Sequence, residues 1–189
     1  MRRSLKAAVT TVLTSCIIFS DASRFAAQDA TLEYRVKAEF LYNFAKFVEW
    51  PRRAFPGPDT PFTICLAGDP FRGVLERTIR GETLNGRLLT VRRIAAAEEV
   101  RGCHLVYVNE SEERRSAEII KAVGNEPMLT VGDTAAFMNN GGMIRFTERG
   151  RRIRFEINVA AAERASLRVS SRLLKLADIV RPGRRGATP

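Results

Sequence analysis

The single histidine and the three cysteines are the most reactive side chains in the sequence, and their neighbours decide what they can do. His104 follows Cys103 directly inside an apolar run, Cys103 to Val108, that reads as a strand. Adjacent residues of a strand point to opposite faces, so this imidazole cannot act as base for that thiol. A core histidine held by hydrogen bonds is the simpler reading. The chain has no zinc-type cluster, no nucleophile elbow and no dinucleotide glycine fingerprint. Gly68 to Gly73 has the glycine spacing of a phosphate loop, but Val74 and Leu75 stand where a lysine and a hydroxyl would be required. What remains are Asp69, Asn109 with its neighbour Glu110, and Asp133. They fall near the ends of expected strands, where α/β sheets bind ligands. Helix capping explains the two aspartates more simply. No catalytic residue, metal site or cofactor is expected.

The amino terminus bears on the cysteine chemistry. Arg2, Arg3 and Lys6 precede an uncharged run from Ala7 to Phe19, too short to span a bilayer, and small residues follow at Ser20 and Ala22. Residues 1–22 therefore read as a signal peptide cleaved after Ala22, with Ala26 or Ala27 as alternatives. A rival reading takes Leu13 to Cys16 as a lipoprotein box with Cys16 acylated; its apolar region is short, and Ile17-Ile18-Phe19 is an odd start for a soluble tether. With the leader removed, Cys65 and Cys103 remain. Two cysteines in an exported protein suggest one disulfide, with two buried thiols as the alternative. The net charge is +10, of which the leader carries +2, leaving +8. The arginines are scattered and not interleaved with aromatic residues, so no nucleic acid partner is expected. The charge reads as solvated surface, or as attraction to anionic headgroups or an acidic protein.

The elements that must position these groups can be read in order. With 189 residues and 45% hydrophobic content, one domain with a sizeable core is expected, at residues 31–180, with 181–189 as a loose tail. Thr31 to Trp50 carries two adjacent apolar stripes, one through Val36, Phe40, Phe44 and Phe47 and one through Tyr34, Ala38, Leu41 and Ala45. This predicts a helix buried on most sides, capped by Thr31, with Glu33 and Lys37 paired and Pro51 at its end. Its aromatic residues read as core, or else as a groove for a partner or cofactor. Strands are expected at Phe62 to Ala67, Leu88 to Ile94, Cys103 to Val108 and Met128 to Val131, alternating with helices. Asp69 is expected to cap a helix running to about Arg80, Asn109 or Ser111 one from Glu112 to Val123, and Asp133 one to Met138. Alternation of this kind requires parallel pairing with right-handed crossovers. Met143 to Glu148 and Ile153 to Ile157 alternate about Arg149-Gly150, which predicts a β-hairpin. From Leu167, Ser171, Leu174 and Ala177 to Val180 the spacing predicts a long amphipathic helix. The expected fold is a layered α/β sandwich, a mainly parallel sheet extended by an antiparallel hairpin, with helices on both faces.

Three blocks carry a resemblance. Tyr34 to Pro51 (YRVKAEFLYNFAKFVEWP), Gly141-Gly142-Met143-Ile144 with Arg154 to Asn158 (RFEIN), and Ser170 to Ala177 (SSRLLKLA) together resemble the YfiR family of small periplasmic proteins, in the same order along the chain. The resemblance implies a non-catalytic periplasmic regulator of cyclic di-GMP signalling and biofilm formation. Such a protein binds the periplasmic sensor region of an inner-membrane diguanylate cyclase of the YfiN type and represses it. It also implies homodimers and disulfides that respond to redox state. Cys65 and Cys103 match one family bridge, whereas a second bridge of some relatives has no cysteines here.

A protein that acts by docking needs a surface and no reactive group. The hairpin and tail are expected to supply it, with Arg154, Glu156, Asn158, Arg172 and Lys175 as partner contacts. In the competing reading Glu156 and Asn158 make internal hydrogen bonds. A different function, a periplasmic small-molecule binding protein, would use the strand ends near Asp69, Asn109 and Asp133. A strand order of second, first, third, fourth puts the switch point beside Gly68 and Asn109.

Overall fold

A computed structural model describes residues 32–150 and 152–180. The leader with Cys16, the Thr31 cap and the tail at 181–189 lie outside them. Residues 32–47 form helix α1, whose Ala38, Leu41, Phe44 and Ala45 are buried. The chain continues as β1 (Val48–Glu49), β2 (Phe62–Ala67), α2 (Val74–Thr78), β3 (Thr83–Leu84), β4 (Arg87–Ile94), β5 (Leu105–Val108) and α3 (Ser116–Val123). It ends with β6 (Leu129–Gly132), α4 (Ala135–Asn139), β7 (Ile144–Arg149), β8 (Arg152–Ile157), α5 (Val159–Arg164), β9 (Arg168–Val169), α6 (Ser171–Leu174) and β10 (Asp178–Ile179).

Eight strands form one sheet in the order β10-β8-β7-β6-β5-β2-β4-β3. β4, β2, β5, β6 and β7 are mutually parallel, and β8 returns antiparallel to β7. The order β4-β2-β5-β6 is the expected one, second, first, third, fourth, and the fold is a layered α/β sandwich. Buried apolar side chains collect on both sides of the sheet. One cluster joins α1, α2, α5 and α6 to residues such as Ile64, Tyr107, Phe146 and Phe155; the other joins α3 and α4 to Cys65, Val106 and Val108. Continuous apolar runs such as that of β5, buried throughout, are what a parallel strand covered on both faces requires.

The carboxy-terminal stretch differs from expectation. After α5, which is capped by the Asn158 side chain, the one long helix expected from Leu167 to Val180 is replaced by β9, the short α6 capped by Ser170, and β10. Ser166 takes a left-handed conformation (φ 60°) that ends α5, after which Val169 and Arg168 pair with Val48 and Glu49. Strand pairing with β1 and β8 is a tertiary reward that helical spacing of leucines does not report. For the same reason α1 stops at residue 47 rather than at Trp50.

Candidate functional site

The carboxyl ends of β5 and β6 hold a polar cluster that joins two sets of residues the sequence suggested only separately, Asn109 with Asp133 and Glu33 with Lys37. Asp133, directly after β6, accepts a hydrogen bond from the Lys37 ammonium of α1 at 2.9 Å and one from the Tyr107 hydroxyl at 2.5 Å. Asn109 Nδ2 donates to Asp133 at 3.3 Å, and Glu33 holds Lys37 from the previous helical turn at 2.7 Å. The Lys37 and Asp133 side chains are only 9% and 7% exposed. Burial alone would depress the Lys37 ammonium, but the Asp133 charge and the hydrogen bonds of Glu33 and Asp133 raise it above its ordinary value. Burial, and then the neighbouring Asp133, push the Tyr107 phenol far up, so it remains a neutral donor. The cluster is a closed clamp between α1 and the sheet.

This corrects the expected caps. The helix after Asp133 is capped by Thr134, whose hydroxyl accepts from Phe137 N at 3.2 Å, leaving Asp133 to turn back under Lys37. Asp69 caps no helix either: it accepts from Phe71 N at 3.0 Å in a tight turn, and α2 begins later, at Val74, behind a left-handed Gly73. The Asp69 carboxylate is held by Arg93 at 2.6 Å, and Arg93 also binds Glu76. Asn109 does cap, accepting from Ser111 N at 3.1 Å, but what it starts is a 3-10 turn, Glu110–Arg115, and α3 follows only at Ser116 without a side-chain cap of its own. At the switch point itself, a Cβ on Gly68 would stand 3.0 Å from both Asn109 and Ser111, so the strand ends there close on one another.

His104 is the core imidazole that its setting suggested. Thr63 N donates to its Nδ1 at 3.1 Å, its Nε2 donates to the Ala54 carbonyl at 3.1 Å, and the ring stacks on Phe55 and Phe62. Burial lowers its pKa, the Ala54 carbonyl opposes this, and Arg87 lowers it further. Cys65 and Cys103 are joined as a disulfide with Cα atoms 5.8 Å apart, and Arg92 lies over the sulfurs, fixed to the carbonyls of Glu99 and Arg101 at 2.8 and 2.6 Å.

The hairpin sorts its side chains by face. Ile144, Phe146 and Phe155 face α1, where Phe40 and Phe44 pack on Phe146 and Phe155. The opposite face carries the cross-strand pairs Arg145–Glu156, Thr147–Arg154 and Arg149–Arg152. Arg145 holds Glu156 at 2.8 Å, and Asn158 accepts from Ala161 N at 3.1 Å, so both have internal partners. Arg154 is exposed beside Arg149 and Arg152, which oppose each other directly. Like charges in that position repel. Lys175 is exposed in the turn leading into β10, which lies beside β8 through Asp178 and Glu156. Arg172 is exposed on α6, and no hydrogen bond among the described residues joins it to the hairpin. Sequence reasoning missed Arg149 and Arg152; the signal was the arginine density around the turn. It paired Lys37 with Glu33, as found, but missed the reach of Lys37 to Asp133, although a lysine four residues before Leu41 and seven before Phe44 sits on a buried stripe.

Residues 34–178 match the model of the family described as YfiR/HmsC-like. The chain belongs to that family. Its members are periplasmic regulators of diguanylate cyclase signalling, not catalysts. No curated protein matches this YfiR/HmsC-like chain. A solved structure of a conserved domain protein from Vibrio cholerae O1 biovar El Tor is similar with a TM-score of 0.50 and 10% identity. The match covers 76% of this chain and 60% of that one, and it concerns the fold alone. The ABC domain from Streptococcus pneumonia, solved in complex with L-Trp, matches at a TM-score of 0.45 and 9% identity over 64% of this chain and 56% of that one, too low to carry an argument. Among the described residues of this family member no helix is long and apolar enough to cross a membrane.

Proposed function

We propose that this protein is an exported, periplasmic docking regulator that binds the periplasmic region of a membrane-bound diguanylate cyclase of the YfiN type and lowers cyclic di-GMP synthesis. The observation that carries the reading, beside family membership, is the outer face of the hairpin. Arg149 and Arg152 are set opposite each other with Arg154 next to them, and Asp178 reaches Arg149 only at 3.9 Å and in solvent, so an acidic partner would relieve a repulsion that the chain itself offsets weakly. The contacts on this reading are Arg149, Arg152 and Arg154, with Lys175 at the border and Arg172 as an outlying member. Glu156 and Asn158 act indirectly, by holding Arg145 and starting α5. The small-molecule reading draws less support, because Asp69, Asn109 and Asp133 are engaged by Arg93, Ser111 and Lys37.

The test is the double reversal Arg152→Glu/Arg154→Glu. The variant should keep its melting temperature, lose the cyclase from pull-downs of membranes at physiological salt, and raise cellular cyclic di-GMP. A folded variant that still captures the cyclase and still represses it sinks the proposal.

A further inference from the structure

The segment between β1 and β2 is held to the rest of the protein by two groups of different chemistry. Residues 57–60 are held by Arg87, whose guanidinium donates to the carbonyls of Gly57, Pro58 and Thr60 at 2.8, 2.7 and 2.8 Å. That cation keeps its charge at any pH the fold survives. Residues 52–56 hang on His104 instead. Its Nε2 donates to the Ala54 carbonyl, and its ring stacks on Phe55 with centroids 4.6 Å apart. The backbone bonds of this stretch close on the segment itself, Ala54 N to the Pro51 carbonyl and Phe55 N to that of Arg52. Among the described residues one other hydrogen bond leaves it, from Arg53 to the Ser166 hydroxyl at 2.8 Å. Ala54 and Pro56 line one side of a cleft of about 550 Å³, and Val100, Cys103 and Met128 line the other.

The His104 hold works in one protonation state only. Because the Thr63 N–H donates to Nδ1, the ring's single proton must sit on Nε2, where Ala54 receives it. A second proton would make Nδ1 a donor facing a donor. The charged groups around the ring offer no compensation: Arg87 lies over Phe55, and Arg53, Arg101 and Glu126 line the cleft. Glu126, the one acid of the four, makes no hydrogen bond to the imidazole. We propose that residues 52–56 are a strap operated by acid: protonation of His104 lets the strap go and opens the cleft, while Arg87 keeps residues 57–60 in place as the hinge. Burial lowers the pKa of His104 below its ordinary 6.5, so closure is complete above about that pH and is lost as the pH falls below it. Through Arg53 the release also reaches Ser166, where α5 gives way to β9. The hairpin packs on α1 and does not share in it.

The chain has a single histidine, so proton NMR of the wild type follows its titration without ambiguity. Amide exchange, corrected for its intrinsic pH dependence, follows the strap. Protection at Ala54 and Phe55 should fall by roughly tenfold from pH 7 to pH 5, with the midpoint of the imidazole titration, while Thr60 and the strands β5 and β7 keep theirs. In His104→Gln, which cannot titrate, exchange at residues 52–56 should be the same at both pH values, whether that variant holds the strap shut or leaves it open. Three results overturn the proposal: a strap that stays protected while His104 charges, a loss of protection that takes Thr60 along with Phe55, or a pH response that persists in His104→Gln. The first two are read on the wild type alone and stand even where the variant does not fold.

Discussion

Replacing Lys37 by methionine tests whether the buried cluster is a clamp. The substitution keeps the apolar stem against α1's neighbours and removes only the ammonium. Asp133, 7% exposed, is then left with the Tyr107 hydroxyl and the Asn109 amide and no counter-charge. Breaking a buried ion pair from one side costs about 3–5 kcal/mol, because the remaining charge keeps its desolvation penalty. Glu33 also loses a partner, but at 40% exposure that contributes little. For a domain of this size each kcal/mol shifts the melting temperature by about 2–4 °C, so Lys37→Met should melt roughly 10 °C lower. Asp133→Asn should cost less, because Glu33 still neutralises Lys37. The double variant, with both charges gone and the Tyr107 donor still satisfied, should lie well above the sum, with a coupling of about 2 kcal/mol. Urea unfolding of the four proteins at pH 7 completes the cycle. A loss under about 1 kcal/mol for Lys37→Met, or additivity in the double variant, would refute the reasoning.

Three further outcomes follow from the same geometry. Replacing Cys65 and Cys103 by alanine opens a loop of sequence separation 38, and the chain-entropy relation gives a loss of about 4 kcal/mol, read from urea midpoints in oxidising buffer. His104 is held neutral by the Thr63 N–H on its Nδ1, with its folded pKa below the unfolded value, so its contribution is complete above about pH 6.5 and is lost as the pH falls below that. The slope of stability between pH 7 and 5 should therefore flatten in His104→Asn, and an unchanged slope counts against the assignment. Gly142→Ala puts a Cβ 2.2 Å from the Phe137 ring and should cost about 1–3 kcal/mol, with part of the loss recovered by Phe137→Leu in the same background.

The parts of this structure that the sequence disclosed are those governed by local rules. The parallel pairing of β4, β2, β5 and β6 follows from strand-helix alternation and right-handed crossovers, and the hairpin follows from period-two alternation around Gly150. The parts it hid depend on partners far along the chain. Leu167 to Val180 has helical spacing, yet Val169 finds Val48 and Asp178 finds Glu156, at separations no local pattern encodes. Asp133 has the sequence position of a cap, but Thr134 one residue later can cap as well, and only the fold reveals that Lys37 lies above. Arg154 was visible as a charge on a strand; that Arg149 and Arg152 oppose each other beside it depends on register.

These differences bear on how a member of this family can work. Strand ends at the switch point of an α/β sheet ordinarily receive a ligand, and their polar groups are then left for it to satisfy. In this chain Asp69, Asn109 and Asp133 are satisfied from within, by Arg93, Ser111 and Lys37, so that end of the sheet is used to lock α1 and the loop after β2 in place. The weakly compensated features lie at the two lateral ends: opposed arginines on the hairpin, of which only Arg149 meets a carboxylate, Asp178 at 3.9 Å, and the outer edge of β4, which β3 covers only at Arg87 and Leu88 among the described residues. A charge conflict and an open edge both lose free energy in the isolated molecule, and each is relieved by contact with another chain. On the docking reading proposed above, the rigid centre holds the frame and the flanks are where a partner would bind.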